Sequence, residues 1–351
     1  MKPRRRHEIS TYEAKPKLEI RRNFQTSISL RPILKMETVV QPGISEQELY
    51  LLNRRDEEEK DRLDQQSNAI RIVRHGHVLD PKIPKQNISR VADIATGTGI
   101  WLREMMGELA NEGYSSPVET VGFDISAEQF PKSSAPGNKF VVWDMTTSFP
   151  EEYHNSFDVV HIRLVILAIK AEQIKDVVKN LVELLKPGGY LQWTDISHMN
   201  GLDPIHRVDD DDMSFKSQAE TVFGFLAEKG YSFDPIGDAE TCLRGLPVEE
   251  AYVIDSTNES YHRPEIRGMV TEWQARTTAI VIEMMLSHNG QSKEQAKMAA
   301  EMHRKKAVEA GRRGAIFKTM IATLVARKKN GDGIKDGLPA KTSLYHEETK
   351  F

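Results

Sequence analysis

Arg90-Val-Ala-Asp-Ile-Ala-Thr-Gly-Thr-Gly-Ile-Trp101 passes from strand chemistry to loop chemistry to helix chemistry within about a dozen residues. Residues 91–94 are an apolar-rich run suited to a buried strand. Residues 95–99 strip nearly all side-chain bulk from a turn, and Ile100 opens a helical run. A strand, a small-residue turn and a helix make half of a βαβ unit. The bare turn lets a ligand come close to the backbone, and the open N–H groups of the helix start can contact its polar atoms.

Downstream the alternation continues. The spacing predicts a helix over 100–111, a second strand over 119–124, a third over 139–144, a fourth over 157–163, a helix over 172–185 and a fifth strand over 190–193. The expected fold class is therefore α/β, with a Rossmann-like, doubly wound parallel sheet of seven strands. Such a sheet binds ligands beyond the C-terminal ends of its strands. Asp124, Asp144, His161 and Asp195 all fall at or just past those ends, so four separated segments deliver polar side chains to one edge.

Outward from this core, 89–200, the chain divides by composition. Residues 1–40 carry Lys2, Arg4, Arg5, Arg6, Lys15, Lys17, Arg21 and Arg22 with little apolar periodicity, which predicts a disordered or loosely attached basic arm. Residues 41–88 form a helical preface, opened by the capping-box spacing Ser45-Glu-Gln-Glu48 and closed by Gly76, Pro81 and Pro84. In 201–330 we expect acceptor-pocket helices and the last strands. They comprise a helix over 214–229, a strand over 251–256, a long helical region from Arg263-Pro264 with Trp273, Ile280, Met284 and Met285, and a final segment, 314–326, that reads equally as strand or helix. Residues 331–351 read as a tail.

With 39% hydrophobic residues in 351 the chain can build a substantial core, and a net charge of −4 gives no global case for a nucleic-acid or membrane partner. The single cysteine, Cys242, excludes an intramolecular disulfide and a multi-cysteine metal centre; it fits a cytoplasmic location, and no metal site is expected. No apolar run approaches a membrane span, and none follows the basic arm as a secretory leader requires. The helical preface offers a surface for a homodimer.

The glycine turn invites two enzyme readings. A dinucleotide fingerprint, G-x-G-x-x-G, needs a third glycine for close helix-to-strand packing beside a pyrophosphate. Leu102 stands at that position, which weakens the case for an NAD-dependent oxidoreductase. A ligand with an adenosine and a short zwitterionic arm fits this turn better.

Asp93-Ile-Ala-Thr-Gly-Thr-Gly99 resembles the first motif, D/E-x-G-x-G-x-G, of the class I S-adenosylmethionine-dependent methyltransferases, with Ala95 in place of its first glycine. Tyr50-Leu-Leu-Asn-Arg54, Phe157-Asp-Val-Val-His-Ile-Arg163 and Leu185-Lys-Pro-Gly-Gly-Tyr-Leu-Gln-Trp193 resemble further signatures of a fungal secondary-metabolism subgroup. The resemblance implies S-adenosyl-L-methionine as cofactor and a small-molecule natural product as acceptor, methylated on oxygen or nitrogen. It implies that Ala95, Thr96, Gly97 and Gly99 lie against the methionine part and that Asp93 helps hold its ammonium group. Asp124, with Ile125 beside it, would take the ribose hydroxyls, and Asp144 the adenine amino group between the apolar walls Trp143 and Met145. Tyr50 would close over the cofactor. For catalysis His161 is the first choice of base, next to the cofactor, with Arg163 orienting an anionic acceptor and His198 and Asp195 behind them. The alternative is a regulatory or interaction protein that keeps the methyltransferase fold.

Overall fold

The computed structural model describes residues 38–41, 57–133, 137–197, 205–206, 222, 224–232, 234–255, 263–313, 316–317 and 320–331. In chain order its strands are β1 (Thr38–Val40), β2 (Arg90–Ile94), β3 (Glu119–Asp124), β4 (Asn138–Val142), β5 (Phe157–Arg163), β6 (Leu185–Ser197), β7 (Ile205–His206), β8 (Val248–Asp255), β9 (Ile316–Phe317) and β10 (Met320–Lys328). Its helices are α1 (Glu57–Val73), α2 (Ile100–Asn111), α3 (Ile174–Leu184), α4 (Pro235–Leu243), α5 (Pro264–His288) and α6 (Lys293–Arg312).

Eight strands form the main sheet, in the order β1-β4-β3-β2-β5-β6-β10-β8, and β7 pairs with β9 apart from it. From β1 to β6 all neighbours are parallel. The chain winds outward from β2 through β3 to β4, then returns to lay β5 on the other side of β2. That reversal opens a crevice beyond the ends of β2 and β5, where an α/β sheet takes its ligand.

Helices cover both faces of the sheet. On one, Trp101, Leu102, Met105 and Leu109 of α2 pack with Val91, Phe140, Val142 and Val159. On the other, Val177, Val178 and Leu181 of α3 pack with Phe123, Val160 and Trp193. The apolar spacing of α3 supplies this face, and each buried Val, Leu or Ile contributes about 1.5–3 kcal/mol relative to exposure. Leu102, at the third-glycine position, is buried between helix and sheet.

Three features differ from the sequence expectation. Residues 38–40, assigned to the arm, pair with Phe140, Val141 and Val142 and add an eighth, edge strand; three residues are too few to show a two-residue period. The segment left open between strand and helix is the strand β10, and it runs antiparallel to β6 and β8, so the sheet is mixed. Its residues 321–326 are all buried, which removes the alternation that marks a half-exposed strand. Strand β6 spans 13 residues and contains Asp195, which was expected beyond its end.

The described part of the helical preface is α1. Its Ala69, Ile70 and Val73 pack with Ile266, Val270 and Trp273 of α5. Its polar face meets the start of α2, where Thr98 Oγ1 donates to Asp64 Oδ1 at 3.2 Å and Ser67 Oγ to Glu104 Oε2 at 2.6 Å.

Candidate active site

The loop leaving β2 passes repeatedly through the left-handed region, with φ of 55° at Ala95, 53° at Gly97 and 65° at Gly99. At Gly99 a side chain would also meet the Phe140 ring at 3.0 Å, so glycine is required there twice over. Ala95 takes up a glycine conformation with a Cβ, at a cost of about 1–2 kcal/mol, where the family motif has its first glycine. Asp124 fixes the loop: Gly97 N donates to its Oδ2 at 2.8 Å, and Ser126 N to its Oδ1 at 3.2 Å. One carboxylate thus ties the turn after β2 to the turn after β3. Thr96 adds a second anchor, its N–H donating to Phe123 O at 2.9 Å and its hydroxyl to Asp93 Oδ2 at 2.7 Å.

A cavity of about 260 Å³ opens beside this loop. At one end lie Ala95 to Thr98, Asp124, Ile125 and Gln129, with Trp143 to Thr146 beyond β4. Asp144 takes both Thr146 N–H and Thr146 Oγ–H on Oδ1, at 2.9 and 2.8 Å, which leaves Oδ2 for a further donor. Asn180 of α3 holds this segment, its Nδ2 donating to Met145 O at 3.0 Å and Thr147 O at 2.9 Å. The other end is mostly apolar: Leu164 to Ala168 after β5, Ile196, Val222, Leu226, and Val281 of α5 beside Trp273 and Gln274. Helix α1 closes a side with Glu59, Arg62, Leu63 and Gln66. Glu59 and Arg62 form a buried two-point ion pair at 2.6 and 2.7 Å; the other charged side chains on the wall, among the described residues, are Asp124, Asp144 and Arg163.

The structure brings Ala95, Thr96, Gly97, Asp124, Ile125, Trp143, Asp144, Met145 and Arg163 together on the cavity wall. It does not bring Gly99, Asp93 or His161 there. Asp93 and His161 are only 2% and 1% exposed, and they lie behind the glycine loop. His161 Nδ1 lies 2.7 Å from Asp93 Oδ1, and its ring stacks coplanar on Trp101 with centroids 3.7 Å apart. Burial pushes the imidazole pKa down to about 4 against the opposing pull of Asp93, so His161 is neutral and donates to the carboxylate. Asp195 is fully buried as well. It accepts from Val165 N and Trp193 Nε1 on Oδ2 at 2.8 and 3.2 Å, and from Ile196 N on Oδ1 at 2.8 Å, while burial pushes its pKa up to about 6. It braces the loop after β5 and does not line the cavity. Arg163 does reach the wall, and its Nη2 donates to Ser67 Oγ at 2.8 Å. Tyr50 and His198 lie outside the described residues.

Sequence reasoning missed Gln129 and the stripe from α1, while Trp273, named in the region expected to build the pocket, does line the cavity. That stripe carried a signal: positions 59, 62, 63 and 66 share one helix face, but a run rich in charge reads as solvated. Among the described residues no cluster of three or more His, Cys, Asp or Glu could hold a metal, and no helix is long and apolar enough to cross a membrane.

Residues 92–191 match a family model described as a methyltransferase domain. The chain is similar to the methyltransferase grgD of a Penicillium species, 30% identical over 153 residues that cover 43% of this chain and 53% of that protein. It is 33% identical to the N-methyltransferase gliN of Aspergillus fumigatus over 147 residues, covering 42% and 50%. It is 26% identical to the secondary metabolism regulator laeA of Gibberella zeae over 243 residues, covering 68% and 71%. The chain thus spans about half the length of the first two. Among solved structures, Haemonchus contortus phosphoethanolamine N-methyltransferase 2 in complex with S-adenosyl-L-methionine matches with a TM-score of 0.43 at 18% identity, covering 76% of this chain and 52% of that one. Residues 92–191 thus match a methyltransferase domain, and the chain is similar to fungal secondary-metabolism methyltransferases over about half their length.

Proposed function

We propose that this chain methylates a small, largely apolar metabolite, and that the accepting atom is a nitrogen. The observation that carries the reading is the single cavity that joins the glycine loop, Asp124 and Asp144 at one end to an apolar chamber at the other. Nitrogen is favoured by the relatives gliN, sirN and verN, each named an N-methyltransferase.

The donor supplies a methyl group already activated on a sulfonium, so the protein's task is to bind, align and keep water out. Asp124, on the cavity wall after β3, is the carboxylate that would accept from ribose hydroxyls, and Asp144 would accept an amino group on Oδ2. Leu164 to Ala168 and the facing Val281, Val222 and Leu226 exclude water from the acceptor end. No histidine lines the cavity among the described residues, and Glu59 is committed to Arg62. A nitrogen that carries a free lone pair at neutral pH needs no base before it attacks, which matches such a wall. Arg163 orients a carbonyl or carboxylate of the acceptor. His161 acts as a positioning residue, holding Asp93 and through it Thr96.

Untargeted mass spectrometry of a producing cell with and without the protein tests the reading. A metabolite pair separated by one methylene, interconverted by the purified chain, is expected; unchanged profiles together with no turnover of any extract contradict it. A second reading, a regulator on the same fold, is favoured by the laeA match over 68% of the chain. Cofactor binding without turnover of any metabolite would select it.

A further inference from the structure

Strand β1 covers β4, which would otherwise be the edge of the main sheet. Successive N–H groups along β4 and the residues after it point to opposite sides, as the pleat of a strand requires. Trp143 N turns inward and donates to Asp124 O at the end of β3 at 2.8 Å, so Asp144 N turns outward, toward β1. There β1 has ended at Val40, and Gln41 N makes the last backbone bond, to Val142 O at 3.1 Å. A side chain supplies the next rung: Asp144 N donates to Gln41 Oε1 at 3.0 Å. Gln41 Nε2 then donates to Thr147 Oγ1 at 3.4 Å, and Thr147 Oγ1 donates back to Asp144 O at 2.8 Å. One half-buried carboxamide thus grips both ends of the turn 144–147.

That turn puts Asp144, Met145 and Thr146 on the cavity wall. Its internal bonds, from Thr146 and Thr147 to Asp144, fix its shape but not its place relative to the glycine loop. Place is set by side chains that reach it from elsewhere. Asn180 of α3 holds the carbonyls of Met145 and Thr147, and Gln41 holds the N–H of Asp144 itself. Without the Gln41 carboxamide the Asp144 N–H has passed the end of β1 and turns to water, and the carboxylate shifts with its own backbone. We propose that Gln41 is a positioning residue for the cofactor: through Asp144 N–H it sets where the segment after β4 meets the nucleoside. The stretch ahead of the matched domain, 92–191, thereby takes a part in cofactor binding without touching the cofactor. This inference rests on the reading of the cavity as an S-adenosylmethionine site.

The test uses the full chain, S-adenosylhomocysteine and 5′-methylthioadenosine, which keeps the nucleoside and lacks the amino-acid arm. Gln41→Met removes both polar atoms at nearly constant length. Titrated well below the melting temperature, it should weaken both ligands by the same factor, about three- to ten-fold, as for one lost hydrogen bond. The ligand-free variant should melt within about two degrees of the parent, because the position is half-buried at the end of an edge strand. Its hydrogen exchange should quicken over residues 143–147 and match the parent's over the glycine loop, 95–99. Thr147→Val, which removes the second contact of Gln41, should weaken both ligands as well, and the double variant should lose less than the product of the two single losses, since both side chains act on one turn. Unchanged affinity in Gln41→Met overturns the inference, and so do losses that multiply in the double variant. A loss confined to S-adenosylhomocysteine overturns it by moving the effect to the amino-acid arm. A melting temperature several degrees lower, or faster exchange in the glycine loop too, overturns it by making Gln41 a general structural residue. If the parent chain binds neither ligand, the reading of the cavity fails; if the parent binds and Gln41→Met binds equally, the assignment of Gln41 alone fails.

Discussion

At Ala95 the backbone holds φ 55°, a conformation that charges a side chain about 1–2 kcal/mol, on the wall of the cavity. Ala95→Gly relieves that strain but loosens the unfolded chain, so the two effects nearly cancel. Urea unfolding should place the variant within about 1 kcal/mol of the parent, and its affinity for S-adenosylhomocysteine should be kept or improved. The pair His161 and Asp93 gives a pH signature. In the unfolded chain His161 titrates near 6.5, whereas the folded protein keeps it neutral down to about 4. Its contribution to stability is therefore complete above pH 6.5 and shrinks as the pH falls toward 4. Asp195 works in the opposite sense: its folded pKa is raised to about 6, so the folded state holds a proton that the unfolded state has released, and stability from this group rises as the pH falls through 6 toward 4. His161→Gln should be less stable than the parent at pH 7. Its stability loss between pH 6.5 and 5 should be smaller than the parent's by about 1.5 kcal/mol, measured by denaturant unfolding. The chemistry of His161, Asp93 and Asp124 was legible in the sequence because each ends or nearly ends a strand. Which of them faces the cavity was not, since Asp93 and Asp124 have similar local patterns, yet Asp93 is buried against His161 while Asp124 lines the wall.

At the scale of elements, α2 spans the residues its small-residue turn and apolar spacing predict, because strand, turn and helix signals follow one another without overlap. Strand β10 stayed ambiguous because both its faces are buried, and β1 is too short to carry a period. Helix α1 could be recognised as a helix; that its polar face lines the cavity depends on contacts distant in sequence. One such link runs from Arg163 at the end of β5 through Ser67 of α1 to Glu104 of α2, at 2.8 and 2.6 Å. Ser67 is 1% exposed, so Ser67→Ala removes a buried hydroxyl and leaves two charged groups short of a partner. A stability loss of about 1–3 kcal/mol is expected. In a methyl-transfer assay kcat should fall more than the affinity for S-adenosylhomocysteine, because Arg163 faces the acceptor side. Equal loss of both would mean that α1 serves the donor instead.

For the molecule as a whole, the alternation of strands and helices identified the α/β class, and strand-end chemistry pointed to the edge of the sheet where the cavity lies. The mixed sheet and its eighth strand come from pairings between distant segments, which no local pattern encodes. The apolar end of the cavity was the least legible part, since Val222, Trp273 and Val281 belong to helices whose apolar stripes also serve the core. The glycine-loop end of the cavity, by contrast, is built from short segments beside β2, β3 and β4, each with its own signal. The central claim is that these segments form one site for S-adenosylmethionine, anchored at Asp124. Isothermal titration of the full chain with S-adenosylhomocysteine tests it most directly. The account predicts saturable binding that Asp124→Ala weakens by about 10- to 100-fold, as expected for lost hydrogen bonds to a charged group. Absence of binding by the parent chain at millimolar ligand, or equal affinity in parent and variant, would contradict it.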